Sequence, residues 1–81
     1  MQIITTPLTG TKTITVLVMV ATGSRFESRE LSGISHFLEH MFFKGTAKRP
    51  TTLKISSELD RVGGEFNAFT GKEYTGYFVK V

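Results

Sequence analysis

Two histidines, His36 and His40, stand four residues apart, with Glu39 immediately before the second; they are the only histidines in the chain. On a helix, positions i and i+4 are neighbours on one face, so both imidazoles can reach a single ion. Glu39 follows His36 by three residues and projects to the same side. Imidazole nitrogen suits zinc, and a carboxylate beside the ion can take a proton from water. The order His-x-x-Glu-His is a zinc signature, the mirror of His-Glu-x-x-His. The expected chemistry is hydrolysis of a peptide bond, with Zn2+ as cofactor, His36 and His40 as metal ligands and Glu39 as general base.

The chain has no cysteine, which removes both a disulfide framework and a thiolate metal site. Any zinc must therefore be held by histidine and carboxylate. A catalytic zinc usually takes three protein ligands and leaves a fourth position to water. Apart from Glu39 the carboxylates are Glu27, Glu30, Glu58, Asp60, Glu65 and Glu73, and none has a spacing that marks it as the third ligand.

The elements that position these residues follow from periodicity. Thr13 to Ala21 is rich in β-branched residues and reads as a strand, with Ile14, Val16, Val18 and Val20 on one face. Thr15, Leu17 and Met19 make the other face, and the apolar character of both predicts cover on two sides. After the break at Gly23-Ser24-Arg25, apolar residues recur at helical spacing through Leu31, Ile34, Leu38 and Met41. Ser32 is the expected cap of this helix and Gly45 its stop. The helix is apolar except where His36, Glu39 and His40 fall. It is expected to be largely buried, a bound metal offsetting the desolvation of its charged groups.

A second helix is expected from about Thr52 to Val62, closed by a left-handed cap at Gly63-Gly64. Glu65 to Thr70 and Glu73 to Val81 read as strands joined by a two-residue turn at Gly71-Lys72. Strand, helix, helix, hairpin predicts an α+β fold with helices packed on one face of a mixed or antiparallel sheet.

With 81 residues the chain makes one small domain at most, and its 40% hydrophobic and 21% charged content fits a globular chain and argues against disorder. The longest apolar run, Val16 to Ala21, is too short to span a bilayer, so no membrane association is expected. Met1 to Pro7 lacks the basic flank and apolar core of a secretion signal. A cytoplasmic location is the simplest expectation, with an organelle or periplasmic form left open. Lys44, Lys48 and Arg49 form a basic loop, but without a stacking partner or binding module no nucleic-acid role is expected.

These residues carry a resemblance. The stretches Gly23-Ser24-Arg25, His36 through Thr46, Gly63 through Thr70 and Glu73-Tyr74-Thr75 resemble, in order, the N-terminal part of the pitrilysin-type zinc metallopeptidases. The likeness runs from about Thr13 to Val81. It implies a partial pitrilysin-type domain, zinc on His36 and His40, and Glu39 as base. It also implies that Asn67, Ala68, Phe69 and Thr70 form an edge strand beside the metal. There an extended peptide substrate adds as a further strand. Phe43 is expected in the core or in a substrate pocket. In the family a glutamate many dozens of residues downstream completes the zinc site, and several domains form a chamber. Residues 1–81 are therefore expected to be the N-terminal portion of a catalytic domain, needing further domains or a partner chain. The competing expectation is a non-catalytic peptide- or subunit-binding module of the same fold.

Overall fold

The computed structural model describes all 81 residues and contains five regular elements. They are β1 (Thr15–Val20), α1 (Ile34–Met41), α2 (Thr52–Asp60), β2 (Glu65–Thr70) and β3 (Thr75–Lys80), with short 3-10 turns at Ser24–Phe26 and Arg29–Leu31. The strands form one antiparallel sheet in the order β1-β3-β2, so β1 and β2 are its two edges. Ile14 and Val81 exchange backbone hydrogen bonds of 2.8 and 2.9 Å and extend the β1–β3 ladder by one pair.

Residues opposite one another on paired strands share a face. Register pairs Val16 and Phe66 with Val79, Val18 and Ala68 with Tyr77, and Val20 and Thr70 with Thr75. This is the face the helices cover. The Phe42 and Tyr77 rings lie 4.7 Å apart and those of Phe43 and Phe66 5.3 Å apart. Phe43 thus packs against β2. The fold is α+β, two helices on one face of a three-stranded antiparallel sheet.

The helix ends depart in part from expectation. Ser32 does not cap α1: Gly33 holds that position with φ +90°, and no side chain of its own closes it. A left-handed residue there turns Ser32 out of reach of the first turn, and Glu27 takes its place. α2 begins on Thr51, whose hydroxyl accepts from the Lys54 N–H at 3.1 Å. It ends as expected, with Gly63 at φ +66° returning the Gly64 N–H to the Leu59 carbonyl at 2.8 Å.

The hairpin differs as well. Thr70 faces Thr75, and the connection is the four residues Gly71 to Tyr74, closed by Gly71 N–H to the Tyr74 carbonyl at 2.8 Å. Its backbone is engaged elsewhere. The N–H groups of Ser24 and Arg25 donate to the carbonyls of Gly71 and Lys72 at 3.3 and 2.8 Å. The Arg25 guanidinium meets Glu73 at 2.8 Å, and the Thr75 hydroxyl donates to the Thr22 carbonyl at 3.0 Å. Gly23 sits buried inside this clamp, where a Cβ would overlap the Gly71 carbonyl oxygen and the Lys72 backbone. Gly23→Ala is therefore expected to lower stability by about 1–3 kcal/mol, read as the shift in a urea midpoint, because the obstructing atoms are backbone and cannot rotate away.

Burial corrects two expectations. No large apolar side chain is fully enclosed; the buried residues are Gly23, Ser35, Thr75 and Gly76. β1 is exposed along its whole length, because the helices stand over β2 and no strand lies beyond β1. α1 is likewise not a buried helix: of its eight residues only Ser35 is buried. No helix is long and apolar enough to cross a membrane.

Candidate zinc site

α1 brings His36, Glu39 and His40 to one side. The two Nε2 atoms converge to 3.0 Å, with ring centroids 4.7 Å apart and planes tilted by 49°. Both rings are exposed and Glu39 is half-buried. Two nitrogens on one tetrahedral zinc at about 2.0–2.1 Å would stand about 3.4 Å apart. The observed separation lies within a small side-chain adjustment of that value, so the pair fits two positions of a zinc coordination sphere.

No group of three or more His, Asp or Glu side chains gathers to hold a metal. Three of the remaining carboxylates are committed elsewhere. Glu27 binds the start of α1, Glu73 pairs with Arg25, and Glu58 meets Arg49 through two bonds of 2.7 and 2.9 Å. The last pair also takes the guanidinium out of the basic loop that Lys44 and Lys48 flank.

Glu39 turns toward β2, where the Thr70 hydroxyl donates to its Oε2. Thr70 and Ala68 lie on the helix side of β2, whereas Asn67 and Phe69 lie on the opposite, exposed side. The Asn67 amide oxygen accepts the Ala68 N–H at 2.8 Å, and the Phe69 ring lies over Gly76. The four residues nevertheless share one edge strand, since β2 pairs only with β3; on its outer edge the Ala68 N–H is taken by the Asn67 side chain. A cleft of about 480 Å³ opens between His36 and Glu39 on one side and Phe69, Thr70, Gly71 and Lys72 on the other.

Tyr77 is a neighbour that sequence reasoning missed. Burial pushes its phenol up from the ordinary value of 10.0, and the nearby negative charge of Glu39 adds to the effect. Its alternation with Thr75 and Val79 along β3 was the available signal, because those positions share the helix-facing side.

The Arg49 and Glu58 charges also make a pH prediction. Hydrogen bonding to Arg49 lowers the Glu58 carboxyl below its ordinary 4.5, and the same bond raises Arg49. A depressed carboxylate contributes stability that is complete above its unfolded value and is lost as pH falls through the folded one. Acid titration should therefore lower the thermal midpoint below about pH 4.5, and Glu58→Gln should flatten that limb.

The helix that carries His36, Glu39 and His40 lies against the edge strand of an α+β sheet. The chain belongs to the insulinase family (Peptidase family M16), whose model matches residues 2–81. It is 53% identical over 70 residues, 86% of its length, to an uncharacterized zinc protease of Bacillus subtilis, of which it spans 17%. It is 52% identical over 64 residues, 79% of its length, to the mitochondrial-processing peptidase subunit beta of Dictyostelium discoideum, of which it spans 14%. Among solved structures, it superposes on a protease from Helicobacter pylori with a TM-score of 0.81 at 39% identity, covering 88% of this chain and 17% of that one. The chain thus spans less than a fifth of each of these relatives.

Proposed function

We propose that residues 1–81 form the zinc-helix portion of the catalytic domain of a larger metalloendopeptidase that cleaves extended peptides. The observation that carries this reading is the convergence of His36 and His40 Nε2 to 3.0 Å, beside a carboxylate held by Thr70. Two relatives whose names include zinc protease or processing peptidase support it.

In this reading His36 and His40 hold zinc through Nε2, and the remaining protein ligand comes from sequence outside these residues. When bound, zinc supplies Lewis acidity toward a peptide carbonyl and lowers the pKa of water. Glu39 accepts the proton of the attacking water and returns it to the leaving amine. The Thr70 hydroxyl fixes which carboxylate oxygen faces the reaction. The outer edge of β2, over Asn67 to Thr70, binds the peptide backbone as an added strand, aligning the scissile bond with the cleft at His36 and Glu39. Ordered strand addition favours extended oligopeptides over folded chains.

The test is cleavage of a quenched fluorescent peptide by the complete peptidase. Chelation should abolish cleavage and added zinc restore it. Peptide binding that survives chelation, with no hydrolysis in the zinc-loaded protein, would instead establish a non-catalytic peptide-binding module.

A further inference from the structure

Glu27 lies nine residues before His36, in the loop between the two 3-10 turns, and is half-buried. Its two carboxylate oxygens take two different backbone N–H groups at the start of α1. Oε1 accepts from Gly33 at 2.7 Å and Oε2 from Ser35 at 2.9 Å. The first N–H groups of a helix have no partner within it, and neither Ser32 nor Gly33 supplies one from a side chain. A carboxylate at this end is also favoured by the helix dipole.

α1 has eight residues, too few for a helix to hold itself in water, and buries no apolar side chain completely. Its placement depends on what grips its ends. Ser35, gripped by Glu27, is the one buried residue of the helix and precedes His36 directly. His36 is the third residue of α1, so the anchored turn is the turn that carries it, while His40 stands one turn further on.

We infer that Glu27 is a positioning residue of the zinc helix: by clamping the Gly33 and Ser35 N–H groups it sets the pitch and rotation of the turn that aims His36 at the metal. This inference rests on the zinc-peptidase reading. The same bonds, that from the Ser35 N–H first, hold the Glu27 carboxyl below its ordinary 4.5, so it remains the double acceptor this role needs at neutral pH.

The experiment compares the complete peptidase with its Glu27→Gln, Glu27→Asp and Glu27→Ala variants, measuring zinc affinity, the visible spectrum of the cobalt-substituted protein, and kcat and KM separately. Glu27→Gln is the decisive variant, because it keeps the side chain's size and one acceptor oxygen while setting an NH2 group against the second N–H. A loss of zinc affinity of about tenfold or more is expected, the scale of residues that orient metal ligands. The cobalt bands should shift, and kcat should fall with KM near the parent value. Glu27→Asp, which keeps both oxygens on a shorter stem, should recover part of the loss. If zinc affinity, spectrum and kcat of folded Glu27→Gln match the parent while only its melting temperature falls, Glu27 stabilises the fold and the positioning role is wrong. If the parent itself holds no zinc at His36 and His40, the zinc-peptidase reading fails, and the Glu27 role fails with it.

Discussion

Replacing Glu39 by Gln in the complete peptidase is expected to lower kcat by about 10²–10⁴, the range supplied by a general base, and to leave bound zinc in place. Glutamine has the shape of glutamate, and its amide oxygen can still accept the Thr70 hydroxyl that now bonds Oε2. What it lacks is an available lone pair of sufficient basicity. KM should hold near the parent value if, as proposed, the peptide backbone is gripped by β2 and not by Glu39. Undiminished turnover in Glu39→Gln would remove this carboxylate from the reaction. Thr70→Val should reproduce a milder form of the same defect, with Thr70→Ser restoring it. A rise in KM instead would mean that Thr70 serves the substrate and not the base.

His36→Ala is expected to abolish cleavage by a different route, with zinc leaving the protein. With the 3.0 Å pair reduced to one imidazole, the chain offers a single nitrogen donor. Loss of an outer partner to a metal ligand costs about 10–100-fold in affinity, so loss of a ligand itself should exceed 100-fold. The fold should change little, since His36 is exposed and fills no core. Equilibrium dialysis against a zinc buffer reads the affinity and far-ultraviolet circular dichroism reads the fold. Retained zinc with lost activity would transfer the metal to other ligands. His40→Ala should behave alike, and the contrast with zinc-replete Glu39→Gln separates ligand from base.

The juxtaposition of His36, Glu39 and His40 was legible because it is local. Four residues of helix place His36 over His40 whatever surrounds them, and glycine turns set off the strand Glu65–Thr70 and the stretch Glu73 to Val81, of which Thr75–Lys80 is strand. The close of α2 was legible for the same reason, since a left-handed residue at Gly63 ends a helix by its own backbone. What was not legible depends on partners distant in sequence. The cap of α1 comes from Glu27, six residues before Gly33, and so displaces the adjacent Ser32. The hairpin opens to four residues because Ser24 and Arg25, some fifty positions away, claim its carbonyls.

Burial was the largest miss. Apolar residues on both faces of β1 and around α1 suggested enclosure, yet β1 is exposed throughout and α1 nearly so. The pattern records what these surfaces are suited to meet, and within these residues nothing meets them. Likewise, no carboxylate had a spacing that marked it as a metal ligand, and no group of three His, Asp or Glu side chains gathers to hold a metal.

Zinc K-edge X-ray absorption of the complete peptidase tests the His36 and His40 assignment directly. One zinc with two imidazole nitrogens at about 2.0–2.1 Å is expected, and no stoichiometric zinc signal should remain in His36→Ala. A zinc environment without imidazole, or one unchanged when His36 and His40 are replaced together, would contradict the assignment.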